Sequence, residues 1–80
     1  MQERKERQRA DNRFGFLCLT LGFLSYGNLC LALEEQALLR VQGRQVQIGN
    51  LLVEAGMISN REKDEVLITQ EELRSRVYIL

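Results

Sequence analysis

The chain of 80 residues contains no histidine, no proline and no tryptophan. Without imidazole there is no histidine general base, no Ser-His nucleophile activation and no imidazole metal ligand. Without proline, nothing removes a backbone donor from the interior of a helix. Cysteine is scarce: Cys18 and Cys30 have eleven residues between them, a spacing of neither a metal nor a redox pair. Both read as free thiols in apolar surroundings, which suits a reducing cytoplasm. An excess of either charge is missing too. Eleven Lys plus Arg balance eleven Asp plus Glu, so the whole chain has no bias toward nucleic acid or an acidic membrane. The adjacent carboxylates Glu34-Glu35 and Glu71-Glu72 would point about 100° apart on a helix and do not converge as an acid/base pair. Gly43, Gly49 and Gly56 are spaced as turns and caps, with no strand before them to build a phosphate loop. The expectation is a non-enzymatic protein with no metal and no cofactor.

What is present is a repeat. Residues 13 to 40 laid over 47 to 74, an offset of 34, give identities at Gly15/Gly49, Leu17/Leu51, Gly22/Gly56, Ser25/Ser59, Leu33/Leu67, Gln36/Gln70, Leu39/Leu73 and Arg40/Arg74. Glycines, a cap-type serine, a glutamine and apolar residues are what a repeated supersecondary unit has to keep. In the second copy Ile48, Leu51, Leu52 and Ala55 fall at i, i+3, i+4 and i+7, one stripe of a two-turn helix. Gly56 follows as a left-handed cap, with Met57 and Ile58 closing back on the stripe. Ser59-Asn-Arg-Glu62 is a capping box, which starts a longer helix to about Val77 with Val66, Leu67, Gln70, Leu73 and Val77 along one side. The first copy repeats the plan with Phe14, Leu17, Cys18 and Leu21, then Gly22, then Phe23 and Leu24. Ser25 starts its long helix to about Gln42, with a weaker box because Asn28 stands where the second copy has a glutamate.

The expected fold is therefore all-α: two tandem short-helix, Gly-turn, long-helix repeats packed in a pseudo-two-fold relation. Residues 1–12 read as a flexible charged arm and 13–80 as a single helical domain, with repeat one at 13–42 and repeat two at 47–77. From Phe14 to Leu33 there are twenty residues without a charge, long enough to suggest a membrane segment. Gly22, Ser25, Gly27 and Asn28 interrupt it, and the matching stretch 48–67 carries Glu54, Arg61, Glu62, Lys63, Asp64 and Glu65, which a bilayer core would not accept. A cytoplasmic chain is the preferred reading and a membrane-associated small protein stays as an alternative. DNA binding by a helix-turn-helix is disfavoured, since the would-be recognition helices at 26–42 and 60–77 are apolar and acid-rich respectively.

The copies differ outside. Where the second has Asn50, Asn60, Lys63, Asp64 and Glu65, the first has Phe16, Tyr26, Leu29, Cys30 and Leu31. An extra apolar face needs covering. Either Val77-Tyr-Ile-Leu80 of the same chain or a second molecule covers it, so Phe16, Tyr26, Leu29 and Leu31 are the candidate protein interface, for a homodimer or another protein.

The unit Arg13-Phe-Gly15, then Gly22 and Gln36, with its echo Gln47-Ile-Gly49-Asn-Leu-Leu-Val-Glu-Ala-Gly56-Met-Ile-Ser, resembles the MshE-type N-terminal domain (MshEN) of type II secretion and type IV pilus assembly ATPases. The likeness covers 13 to 36 and 47 to 70. It implies an all-helical bacterial regulatory or adaptor module, here as a free-standing small protein. Many members bind cyclic di-GMP, which would implicate Arg13, Phe14, Gly15, Leu17 and Gln36 of the first copy and Ile48, Gly49, Leu51, Leu52 and Gln70 of the second. An Arg plane can stack on or bidentately bond guanine, and Gly permits close backbone approach. Gln47 stands where the family has a second Arg, which removes one cation from a ligand with two phosphates, and Phe14 replaces an aliphatic residue. The same residues also have a purely structural reading. Gly15 and Gly49 would let helices cross closely, and Gln36 and Gln70 would bridge a turn.

Overall fold

The computed structural model describes residues 13–77, and within them the chain is all-helical. Four helices follow in order: α1 at 13–20, α2 at Tyr26–Val41, α3 at Ile48–Glu54 and α4 at Asn60–Val77. The segment 44–47, the one stretch with a hint of alternation, forms no strand and runs as an extended linker. The expected charged arm at 1–12 and the cover by Tyr78, Ile79 and Leu80 lie outside the described residues.

Each long helix starts as its serine dictates. Ser25 is extended, with φ −82° and ψ 156°, and its hydroxyl accepts from the Asn28 N–H at 3.2 Å. At Ser59 both arms of the box are made: the Glu62 N–H donates to Ser59 Oγ at 3.1 Å, and the Ser59 N–H donates to Glu62 Oε1 at 2.9 Å. Each reciprocal bond satisfies a donor that the first helical turn would otherwise leave open.

Each short helix stops at a left-handed glycine, Gly22 with φ 78° and Gly56 with φ 73°. The hydrogen bonds around them recur at the same offset of 34 residues. Phe23 N–H donates to Cys18 O and Met57 N–H to Leu52 O, both at 2.9 Å. Gly22 N–H reaches Leu19 O at 3.1 Å and Gly56 N–H reaches Val53 O at 3.0 Å. This pairing closes the last carbonyls of a helix and turns the chain back, a conformation glycine adopts without a Cβ clash. Gly43, with φ 84°, ends α2 in the same way.

The core is made by Phe14 and Cys18 of α1, Leu24 of the first turn, Leu29 and Ala32 of α2, Ile48, Leu51 and Leu52 of α3, Ile58 of the second turn and Val66 of α4. Ile48, Leu52, Val66 and Cys18 are sealed from solvent at its centre. Two expected stripes run short of their predicted length. Leu21 and Ala55, the last positions on the short-helix stripes, are exposed, because the chain turns away at the following glycine. On α4, Val66 is buried and Gln70 half-buried, while Leu67 and Leu73 are exposed. Two reasons apply: Leu67 points about 100° away from the buried Val66, and seven residues of α3 span about 10 Å against about 27 Å for the eighteen of α4, so the short helix cannot cover the long one as far as Leu73.

Among the described residues no helix is long and apolar enough to cross a membrane. The uncharged run 14–33 is folded in two at Gly22 and supplies α1 and the first half of α2.

Candidate functional site

Of the residues that the MshEN likeness singles out, Phe14 and Gly49 meet where the two short helices touch, and the others are spread over α1 to α4. Phe14, Gly15, Gln36, Ile48, Gly49, Leu51 and Leu52 are buried, Leu17 and Gln70 are half-buried, and Arg13 is exposed. The Phe14 ring lies against Gly49, where an added Cβ would come within 3.0 Å of Cζ and 3.3 Å of both Cε atoms. Gly15 faces Leu29, whose Cδ1 would be 2.9 Å from such a Cβ. Both glycines therefore serve close packing. Gln36 bridges: its Nε2 donates to Val46 O at 2.8 Å and ties the linker to α2. Of the ten, the Arg13 side chain alone is fully offered to solvent.

The second candidate group, Phe16, Tyr26, Leu29 and Leu31, does not form one face. Phe16 is 66% exposed, Tyr26 73% and Leu31 57%, but Leu29 is only 8% exposed and belongs to the core. The reason is the helical period. Leu29 and Leu31 are two positions apart and point about 200° from each other, so a helix that buries one must turn the other outward. Tyr26 lies near the Leu29 side of α2, whereas Leu31 lies on the opposite flank with Leu38, one heptad further on.

That opposite flank borders a groove of about 490 Å³ between α2 and α3. Its apolar surface comes from Leu31 and Leu38 of α2, Leu51 of α3 and Met57 of the turn that follows. Three carboxylates, Glu34 and Glu35 from α2 and Glu54 from the end of α3, line it as well, and among the described residues no basic side chain does. Sequence reasoning missed this groove because it joins residues of both halves. The available signal was the pair Leu31/Leu38 at i, i+7 enclosing Glu34-Glu35.

Also missed was a polar contact in the second half. Lys63 Nζ donates to Asn50 Oδ1 at 3.0 Å, joining α4 to α3 on the surface. At the matching offset the first half has Leu29 and Phe16.

Burial pushes the Cys18 thiol up to about 11, with the Glu62 carboxylate adding to the effect, so the sulfur stays protonated and a poor nucleophile. Cys18 and Cys30 are both free. Among the described residues no cluster of acidic or sulfur side chains could hold a metal ion.

No protein-family model, no curated protein and no solved structure matches this chain.

Proposed function

We propose that the chain is a non-enzymatic adaptor or regulatory module, built as a duplicated helical hairpin with its halves in pseudo-two-fold relation, that acts in the cytoplasm by docking a protein partner or a second copy of itself. One observation carries the reading. Among the described residues ten large apolar side chains, among them Phe16, Tyr26, Leu31, Leu38 and Val41, stay exposed, as many as the ten apolar residues that make the core. Monomeric proteins seldom leave so much apolar surface open unless something binds there. The likeness to the N-terminal domains of secretion and pilus ATPases supports a role of this kind, as do the free cysteines for a reducing compartment.

The test is a comparative pull-down with Phe16→Asp and Leu31→Asp, each checked for unchanged helical circular dichroism. Both positions are exposed, so the fold is retained while wild-type partners, or the dimer seen in sedimentation, are lost. An unchanged partner list together with a concentration-independent monomer mass contradicts the reading.

Cyclic di-GMP binding is the second reading, and the exposed guanidinium of Arg13 at the start of α1 is what favours it. Burial of Phe14, Ile48 and Leu52 weighs the other way, because those side chains already fill the core. Titration with cyclic di-GMP, following the amides of Gly15, Gly49 and Gln70, decides it. Shifts that disappear in Arg13→Ala support binding, and no shift at tens of micromolar ligand rejects it.

A further inference from the structure

The geometry points to a specific occupant for the groove between α2 and α3: a basic amphipathic helix of a partner protein. This inference rests on the reading of the chain as a partner-binding module and adds where and what it binds.

Leu31 and Leu38 stand seven residues apart on α2, a row about 10 Å long. Facing them across the groove are Leu51 and Met57. An apolar row of that length fits the anchors that an amphipathic helix presents at i, i+3/4 and i+7. Met57 adds a flexible, polarizable surface that adapts to the side chain laid on it. Charge then selects among helices. Glu34, Glu35 and Glu54 line the groove and no basic side chain of the described residues does, so a helix with Lys or Arg beside its apolar stripe is attracted and an acidic one is repelled.

The chain's own segments fit less well. The stretch before α1 is basic but has only Met1 and Ala10 as apolar residues, too few to fill the floor. A second copy would bring α2, whose own Glu34-Glu35 sets like charges together, or α4, where Glu62, Asp64, Glu65, Glu71 and Glu72 alternate with Arg61, Lys63, Arg74 and Arg76, and neither offers a predominantly basic flank. Nucleic acid and anionic lipid meet the same repulsion.

Two designed peptides of about four helical turns test this, with identical leucine stripes and either Lys or Glu at every flanking position. They are titrated into the full chain while methyl NMR signals are followed. The expected result is that the Lys peptide shifts Leu31, Leu38, Leu51 and Met57, while the Glu peptide leaves them in place. The triple variant Glu34→Gln/Glu35→Gln/Glu54→Gln should bind the Lys peptide about tenfold more weakly. Added salt should do the same to wild type, and that measurement stands should the variant not fold. Three results overturn the inference: equal binding of both peptides, shifts confined to the methyl groups of α1 or α4, or no shift with either. If the Phe16→Asp pull-down still loses partners in any of those cases, the adaptor reading survives and the groove assignment alone fails.

Discussion

Lys63 reaches Asn50 on the surface of the second half, and the corresponding positions of the first half hold Leu29 and Phe16. The inward positions behave differently. Phe14 and Ile48, Cys18 and Leu52, Leu24 and Ile58, and Ala32 and Val66 are four pairs at the offset of 34, and all eight residues are buried. Two similar hairpins can share a core when a small residue in one half is matched by a larger one in the other, as Cys18 and Ala32 are at the offset of 34 by Leu52 and Val66. Their outer surfaces are then free to diverge. A lysine keeps its charge in water, whereas a leucine at the matching site turns in and packs on Gly15. That leaves Phe16, 66% exposed, without the polar partner that Asn50 has in the second half. At the offset of 34 these four interior pairs are alike in burial, whereas Asn50 and Lys63 stand against Phe16 and Leu29.

The comparison can be broken at paired positions. Leu52→Ala removes a fully buried side chain and should cost about 3 kcal/mol in denaturant unfolding, while Cys18→Ala should cost about 1 kcal/mol. Similar losses at both would contradict unequal contributions to one core. Cys18 also gives the first half a pH dependence. Its folded pKa is raised from 9.0 to about 11, so the stabilisation of the protonated thiol is complete below about pH 9 and is lost as pH climbs toward 11. Chemical denaturation at pH 8 and pH 10 should show a decline in wild type that is reduced in Cys18→Ala.

The glycines sharpen the contrast. A methyl at Gly49 meets the buried Phe14 ring, which has little room to yield, and Gly49→Ala should destabilise by about 1 kcal/mol despite alanine's helix preference. At Gly15 the obstacle is the end of a flexible leucine, so Gly15→Ala should stay within about 0.5 kcal/mol of wild type. Thermal midpoints of the two variants check this ordering. The caps give effects of similar size. Ser59→Ala should cost about 1 kcal/mol, Ser25→Ala slightly less, and Asn28→Glu, which supplies the missing arm of the first box, should gain a few tenths. A loss from Asn28→Glu would show that the two starts are not equivalent.

Much of the architecture was legible in the residues. Gly22, Gly43 and Gly56 marked the turns because only glycine enters the left-handed region easily, and Ser59 with Glu62 marked a helix start because the box is local chemistry. The helix ends at Val41 and Glu54 followed from those signals. What was not legible depends on which elements meet. Leu21, Leu67 and Leu73 keep the helical period yet stay exposed, since periodicity says which side is apolar but not how far a neighbouring helix extends. Leu29 was grouped with Leu31 by comparison with the second half, although the helical turn separates them. The groove needed α2 beside α3, a long-range arrangement that no single stretch encodes.

Residue-resolved amide hydrogen exchange is the most direct test of the central claim, that one hairpin is built twice around a shared core. The account predicts protection of Phe23 and Met57, of Leu21 and Ala55, and of Leu29 and Lys63 as matched pairs, because each pair makes the same backbone bond. Protection in one half, with the partner amides of the other exchanging at the rate of an open chain, would contradict it.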